Sequence, residues 1–493
     1  MANKDLKSKA ASGMVWTSIQ KFSKMGIGFI SGIILARLLT PFDYGCIGML
    51  AIFMVLAETF IDGGFGSALI QKKRPTQTDY STIFHWNICL SIVMYAALFF
   101  SSPAISRFYK IPVLCDVLRV QGLILFIHAL NLIQRNQLKK QLKFKIIAVV
   151  RIITSVISLI VTIVMAYMGF GVWALVTQNL LMAAIPAAFF WTYTKWYPSW
   201  TFSWKSFKEL FSFGIYMFFT HLINNFSGQI QGLFIGRLYS ASTMGYYSKA
   251  ISTERLASGT ISSVMTAVTF PLYAEVQDEK LRLQNMIKRM NVTIAYITFP
   301  LLTIMILVAK PVFILLYSDR WLQSVPYFQV LCVAGMGGCL TAINTQPIAA
   351  IGKSKVMFIW TIVKRVIGLL FMIGGLVTFG MYGLLVGVII NHWFSYFVNI
   401  WLVSKYIGYK WTQQFLDIMP VLLLVAGAGV ISYLCGHLLG FSLYLDGAIK
   451  FSIFLILYIG GSVIFKPDFY VFTKDLMQPA LLKIKKKIHF YNS

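Results

Sequence analysis

Apolar runs long enough to cross a membrane follow one another along nearly the whole chain. They fall at about 12–36, 45–69, 81–102, 113–134, 146–168 and 172–194, then at 210–235, 246–271, 290–316, 325–350, 357–378 and 382–403, and last at 416–439 and 444–465. A spanning α-helix needs about 20 apolar residues, whereas a barrel strand needs only about 10 in alternation. The pattern therefore predicts an all-α polytopic membrane protein of about fourteen transmembrane helices and excludes a β-barrel. Polar connections are short, the longest expected at 103–112 on one side and 275–289 on the other. Neither is long enough to form an aqueous domain.

The run pattern repeats at a spacing near 200–210 residues. Leu35-Ala36-Arg37-Leu38 ahead of Gly45 compares with Ile235-Gly236-Arg237-Leu238 ahead of Gly245. Phe170-Gly171-Val172-Trp173 compares with Phe379-Gly380-Met381-Tyr382, and Lys143-Phe144-Lys145 with Lys353-Ser354-Lys355. Six helices per copy is an even number, so both copies share one orientation. The expected organisation is two six-helix lobes, 1–200 and 201–410, related by a pseudo-two-fold axis along the membrane normal with a path between them. Two further helices (411–466) and a basic cytoplasmic tail (467–493) complete it.

Composition agrees with this class. The chain of 493 residues is 58% hydrophobic and 12% charged, against about 45–50% and 25% in soluble domains. A soluble enzyme, a disordered chain and a nucleic-acid-binding module are excluded. The net charge of +27 reads first as an excess of basic residues in cytoplasmic loops. With the N-terminus inside, the inner segments carry 28 Lys and Arg and the outer loops 5 (Arg37, Arg107, Lys110, Arg237, Arg320). Both termini are therefore expected in the cytoplasm, and the first apolar run is expected to be a retained span, not a signal peptide. The six cysteines are scattered, with no CxxC pair and no His/Cys cluster at metal spacing, so neither a disulfide framework nor a metal site is expected. The tail's Lys483–Lys487 run either rests on anionic headgroups or is solvated.

Charges inside the apolar runs are the candidate chemistry, because each costs about 2.5–3.5 kcal/mol at mid-membrane even on the generous insertion scale. Between Lys24 and Arg37 only 12 residues remain, about 18 Å of helix, so the first span must include Lys24. Lys21 lies one turn earlier, and both can either snorkel or face a wet cavity. Glu58 and Asp62 share a face of the second helix. They are read as a proton- or cation-coupling pair, or as fixed ion pairs with Lys21 or Lys24. Lys249, Glu254 and Arg255 lie in the eighth helix, Lys364 and Arg365 in the eleventh, and Arg119 and Arg151 complete the set. Together these groups leave an excess of about five positive charges in the membrane. A structural network would tend to neutrality, so the surplus fits a path for an anion. Polar stripes mark one face on each of three helices: His221, Asn224, Asn225, Gly228 and Gln229; His128, Asn131 and Arg135; Asn391, His392, Ser395 and Asn399. Interhelical hydrogen bonding explains part of these, and sugar hydroxyls would need the same groups.

Three segments carry a family resemblance. Leu35-Ala36-Arg37-Leu38-Leu39-Thr40-Pro41-Phe42-Asp43-Tyr44-Gly45 resembles the link between helices 1 and 2 of the Wzx-type O-antigen and exopolysaccharide flippases. Phe65-Gly66-Ser67-Ala68-Leu69-Ile70-Gln71 resembles the end of their second helix, and Phe170-Gly171-Val172-Trp173-Ala174-Leu175 the start of their sixth. These belong to the polysaccharide transporters of the multidrug/oligosaccharidyl-lipid/polysaccharide exporter superfamily. The resemblance implies alternating-access transfer of undecaprenyl-diphosphate-linked oligosaccharide units from the inner to the outer leaflet of the bacterial inner membrane. It implies no cofactor and no enzymatic step, with membrane lipids and polysaccharide polymerase machinery as candidate partners; coupling to a proton, to a sodium ion or to the membrane potential stays open. Lys21, Lys24 and Arg255 would hold the diphosphate, with Lys249, Lys364, Arg365, Arg151, His221 and Asn225 as further substrate-binding candidates and Glu58, Asp62 and Glu254 as coupling or gating acids. The alternatives are a drug/cation antiporter of the same superfamily, which would have about twelve helices and an acid-dominated cavity, and a membrane-embedded polymerase or ligase, which would need a sizeable catalytic outer loop.

Overall fold

The computed structural model describes residues 2–439 and 442–464. The tail expected at 467–493 lies outside the described residues, as do the side chains of residues 1–11. Among the described residues the regular elements are all helices. In the first half they are α1 (Ala2–Leu38), α2 (Pro41–Asp62), α3 (Phe65–Gln71), α4 (Gln77–Tyr109), α5 (Val113–Gln121), α6 (Ile124–Lys140), α7 (Phe144–Tyr167), α8 (Val172–Thr194) and α9 (Trp204–Leu238). After them come α10 (Ala241–Glu275), α11 (Lys280–Leu307), α12 (Ala309–Tyr317), α13 (Ser324–Asn344), α14 (Gln346–Ala350), α15 (Ser354–Ile407), α16 (Trp411–Leu439) and α17 (Leu443–Ile464).

Ten of the crossings are long and apolar enough to span by composition alone, with α2–α3, α5–α6 and α13–α14 each counting as one. The 54-residue α15 breaks at Gly380, whose φ of 66° is not helical, and so holds two of the expected spans. The long helices outside those ten are α1, α9 and α10, and they carry Lys21 and Lys24, His221 and Asn225, and Lys249, Glu254 and Arg255 respectively. With them, every apolar run of the sequence corresponds to a helix.

Local signals set the helix ends. Thr40 and Asp43 form a capping box, the Thr40 N–H donating to Asp43 Oδ2 at 2.8 Å, and Pro41 occupies the first helical turn, where no amide donor is missed. Thr76 and Asp79 repeat the arrangement at the start of α4, again with a 2.8 Å bond. Gly63 (φ 51°) and Gly64 (φ 75°) take the left-handed conformation that ends α2 and lets α3 restart. At the far end of α3 the Lys140 ammonium donates to the carbonyls of Leu69 (3.0 Å), Ile70 (3.3 Å) and Lys72, a cation at a helix C-terminus.

The connections are shorter than expected. Helix α4 runs to Tyr109, leaving three residues where an outer loop over 103–112 was expected, and α10 and α11 are separated by four. Hydropathy marks the hydrocarbon slab, but backbone hydrogen bonding continues into the headgroup region.

The chain divides into two compact units, 1–248 and 249–493. Within the first unit α9 packs on α2, α3 and α4. In that unit Phe65, Leu69, Ile83, Phe84, Leu132 and Phe207 form one core and Leu35, Leu39, Ala166 and Leu175 another. In the second unit α16 and α17 pack on α11, joining Phe299, Leu340, Tyr396, Ile418, Val421 and Phe454 in one core.

Gly45 and Gly245, matched by the repeat, each face the first residue of the other's helix. A Cβ built on Gly45 would strike the Ala241 carbonyl, and one on Gly245 would strike that of Pro41. The first turns of α2 and α10 therefore touch backbone to backbone, as small residues permit.

Candidate functional site

Two adjoining cavities open inside the first unit. The first has a volume of about 250 Å³. Glu58, Thr59 and Asp62 reach it from α2, His128, Asn131 and Arg135 from α6, Arg151 from α7, and His221 and Asn225 from α9. Glu58 and Asp62 on α2, His128, Asn131 and Arg135 on α6, and His221 and Asn225 on α9 recur at three- or four-residue spacing, which brings each set to one face. Glu58 Oε1 lies 3.8 Å from His128 Nδ1. Asn225 Nδ2 donates to Thr59 Oγ1 at 2.8 Å, and that hydroxyl donates to the Val55 carbonyl at 2.6 Å. Arg135 Nε and Asn131 Oδ1 are buried with no hydrogen-bond partner among the described residues.

The second cavity, about 370 Å³, has a different lining. Thr17, Gln20 and Lys24 come from α1, Arg135 and Lys139 from α6, and Arg151 and Ser155 from α7. Among the described residues no Asp or Glu lines it. Because α1 packs along α7, Lys24 comes to the same cavity as Arg151 despite the sequence distance. Arg151 is steadied by a 3.4 Å bond from Nη1 to the Met182 carbonyl. Arg135 and Arg151 line both cavities.

Of the residues singled out in the sequence, Lys24, Arg151, His221, Asn225, Glu58 and Asp62 thus line this pair of cavities. Lys21 is exposed on α1 and is not among the lining residues. Glu58 lies against the His128 ring, whereas the sequence suggested Lys21 or Lys24 as its neighbour. Lys139 was missed as a site residue, being counted only with the basic residues of a cytoplasmic connection, and Arg135 was placed in the polar stripe of its helix but not among the substrate-binding candidates. The signal was present, since 128, 131, 135 and 139 continue one helical face.

In the second unit the candidates are placed differently. Lys249 is only 4% exposed, and its ammonium sits 3.8 Å from the Tyr317 ring centroid and 5.5 Å from that of Trp321. That is a cation–π environment rather than snorkelling. Glu254 is buried against Gly335, with Oε1 lacking a hydrogen-bond partner among the described residues. Lys364 Nζ donates to Asn399 Oδ1 at 2.7 Å, and Asn399 Nδ2 donates to the Thr341 carbonyl and to Thr345 Oγ1, both at 3.0 Å. His392 Nδ1 lies 3.0 Å from the Ala334 carbonyl. His392 and Asn399, half of the 391–399 stripe, are therefore engaged in interhelical hydrogen bonds. Arg255 is exposed and Arg365 half-buried.

Comparison with known proteins agrees with the resemblance read from the segments. The chain is 27% identical over 429 residues to the teichuronic acid biosynthesis protein TuaB of Bacillus subtilis (strain 168), covering 86% of this chain and 88% of that one. It is 25% identical over 447 residues to the lipopolysaccharide biosynthesis protein WzxC of Escherichia coli (strain K12), covering 88% and 89%. It is 24% identical over 355 residues to the succinoglycan biosynthesis transport protein ExoT of Rhizobium meliloti (strain 1021), covering 71% of each. Among solved structures, the lipid II flippase MurJ in an inward closed conformation matches with a TM-score of 0.73 at 14% identity, over 92% of this chain and 99% of that one. An inward-facing multidrug resistance MATE family transporter matches at 0.62 and 17%, over 80% and 98%. These structural likenesses establish the fold, a multi-pass membrane bundle. The family model described as polysaccharide biosynthesis protein matches residues 34–326, more than half of the sequence, and the chain belongs to that family.

Proposed function

We propose that this protein is a flippase, moving diphosphate-linked oligosaccharide units from the inner to the outer leaflet of a bacterial plasma membrane by alternating access, for surface polysaccharide synthesis. One observation carries the reading: a membrane-spanning unit of a polysaccharide biosynthesis family member holds a cavity lined by Lys24, Arg135, Lys139 and Arg151, with no carboxylate among the described lining residues. Four cations lining one cavity outnumber the two acids, Glu58 and Asp62, of the adjoining one, and a passing diphosphate supplies the remaining counter-charge. The polyprenyl tail can remain in lipid. The names of TuaB, WzxC and ExoT, each tied to a surface or secreted polysaccharide, support the same substrate class. Glu58, against the His128 ring, is the coupling acid this reading favours. A drug/cation antiporter would place acids, not an acid-free group of cations, at its binding cavity.

Deleting the gene should abolish surface polysaccharide and raise the inner-leaflet pool of the lipid-linked unit, both restored by the wild-type gene. Unchanged polysaccharide together with a new sensitivity to cationic drugs would favour the antiporter instead.

The orientation is tested separately. With the native cysteines replaced, a cysteine at exposed Lys73 should be protected from an impermeant thiol reagent added to intact cells, and cysteines at exposed Arg107 or Arg320 should react. Labelling of position 73 from outside would invert the topology.

A further inference from the structure

The two cavities of the first unit differ in chemistry, and the difference suggests how one substrate occupies both. We propose that the acid-free cavity holds the diphosphate, that the neighbouring cavity holds the sugar attached to it, and that Arg135 and Arg151 clasp the junction. The assignment rests on the flippase reading above and adds an orientation to it.

Charge decides which group goes where. A diphosphate placed beside Glu58 and Asp62 would meet like charge at short range in a poorly screened interior. In the second cavity it meets Lys24, Arg135, Lys139 and Arg151 and, among the described residues, no carboxylate. A sugar asks for donors and acceptors together. The first cavity offers the Glu58 and Asp62 carboxylates with the amides of Asn131 and Asn225. Asn131 Oδ1 and Arg135 Nε, an acceptor and a donor buried without partners among the described residues, stand ready for such a ligand.

Position agrees with charge. The cation cavity lies at the end of the unit where α6 finishes at Lys140 and α7 begins at Phe144. The distribution of basic residues assigns that end to the cytoplasm, where the phosphates of an inner-leaflet lipid sit at headgroup level. The sugar then lies deeper, between α2, α6 and α9. An Arg at the junction can give parallel hydrogen bonds to phosphate oxygens, which a Lys cannot.

The test uses the full-length protein, purified in detergent, and farnesyl diphosphate, a soluble prenyl diphosphate without sugar. Arg135→Gln and Lys139→Gln should each weaken binding of this probe about tenfold, the loss of a charge-assisted contact. Glu58→Gln and Asn225→Ala should bind it at least as tightly as wild type, and Asn225→Ala, which removes no coupling acid, should still fail to restore surface polysaccharide in the deletion strain. Lys73→Gln, on an exposed connection, is the control for both readouts. If Arg135→Gln is not recovered folded, Lys139→Gln and Lys24→Gln decide. The assignment is overturned if the cation variants bind the probe like wild type, if the wild-type protein does not bind it, or if Glu58→Gln weakens it as much as Arg135→Gln. Loss of polysaccharide on deletion, with full rescue by Arg135→Gln and Lys139→Gln, would remove the subsites and leave the flippase reading standing. Normal polysaccharide after deletion would remove the flippase reading itself.

Discussion

Gly45→Val and Gly245→Val are each expected to remove most of the folded protein from the membrane. The Cβ of either side chain would enter the space of a main-chain carbonyl, Ala241 for one and Pro41 for the other. A flexible side chain can rotate away from an intruding methyl, but a carbonyl inside the first turn of a helix cannot move without unwinding that turn. Overpacking in cores costs about 1–3 kcal/mol where neighbours can adjust; here the cost should reach or exceed the upper end. Gly26→Ala is the matched control, because a Cβ there meets nothing within 4 Å, and alanine raises helix propensity by up to about 1 kcal/mol. Membrane level and thermal stability in detergent are the measurements. Wild-type values for Gly45→Val would show that the starts of α2 and α10 are not in backbone contact.

Asn399→Leu should be the most damaging single change among the polar residues of the second unit, and Lys364→Met should rescue much of it. Asn399 accepts from the Lys364 ammonium at 2.7 Å and donates twice to α13 and its end. It is 2% exposed, so the bonds lost cannot be replaced by solvent. A hydrogen bond to a charged group contributes about 1.5–3 kcal/mol, and the stranded ammonium adds its own desolvation cost. With Lys364→Met present that second cost disappears, so the double variant should be more stable than Asn399→Leu alone. A double-mutant cycle in detergent measures the coupling. Purely additive effects would mean that Asn399 does not hold Lys364. Full stability of Lys364→Met with lost polysaccharide would return Lys364 to the substrate path, where the sequence placed it.

The candidate site was partly legible in the sequence. Glu58 and Asp62, Arg151, and His221 and Asn225 stand out because a polar residue in an apolar run is costly wherever its neighbours are. Lys139 did not stand out, and Arg135 did so only as the end of a polar stripe, since both sit near a helix end where the positive-inside rule already accounts for them. Lys249 illustrates the opposite case. The sequence counts it among the surplus cations, but its ammonium faces the ring of Tyr317, an aromatic that carries no formal charge and cannot enter a charge tally.

The sequence by itself determined the class, the fourteen apolar runs and many helix ends. A 20-residue apolar run, a Thr40/Asp43 capping box and a Gly63-Gly64 stop are local properties, and local structure obeys them. Only the tertiary structure decided which charges share a cavity, which are satisfied in place, and that α9 packs on α2, α3 and α4. The physical reason is that a buried charge is judged by its neighbours on other helices. Which neighbours it has depends on how each helix is rotated and what it packs against, as α1 does against α7 in bringing Lys24 to Arg151.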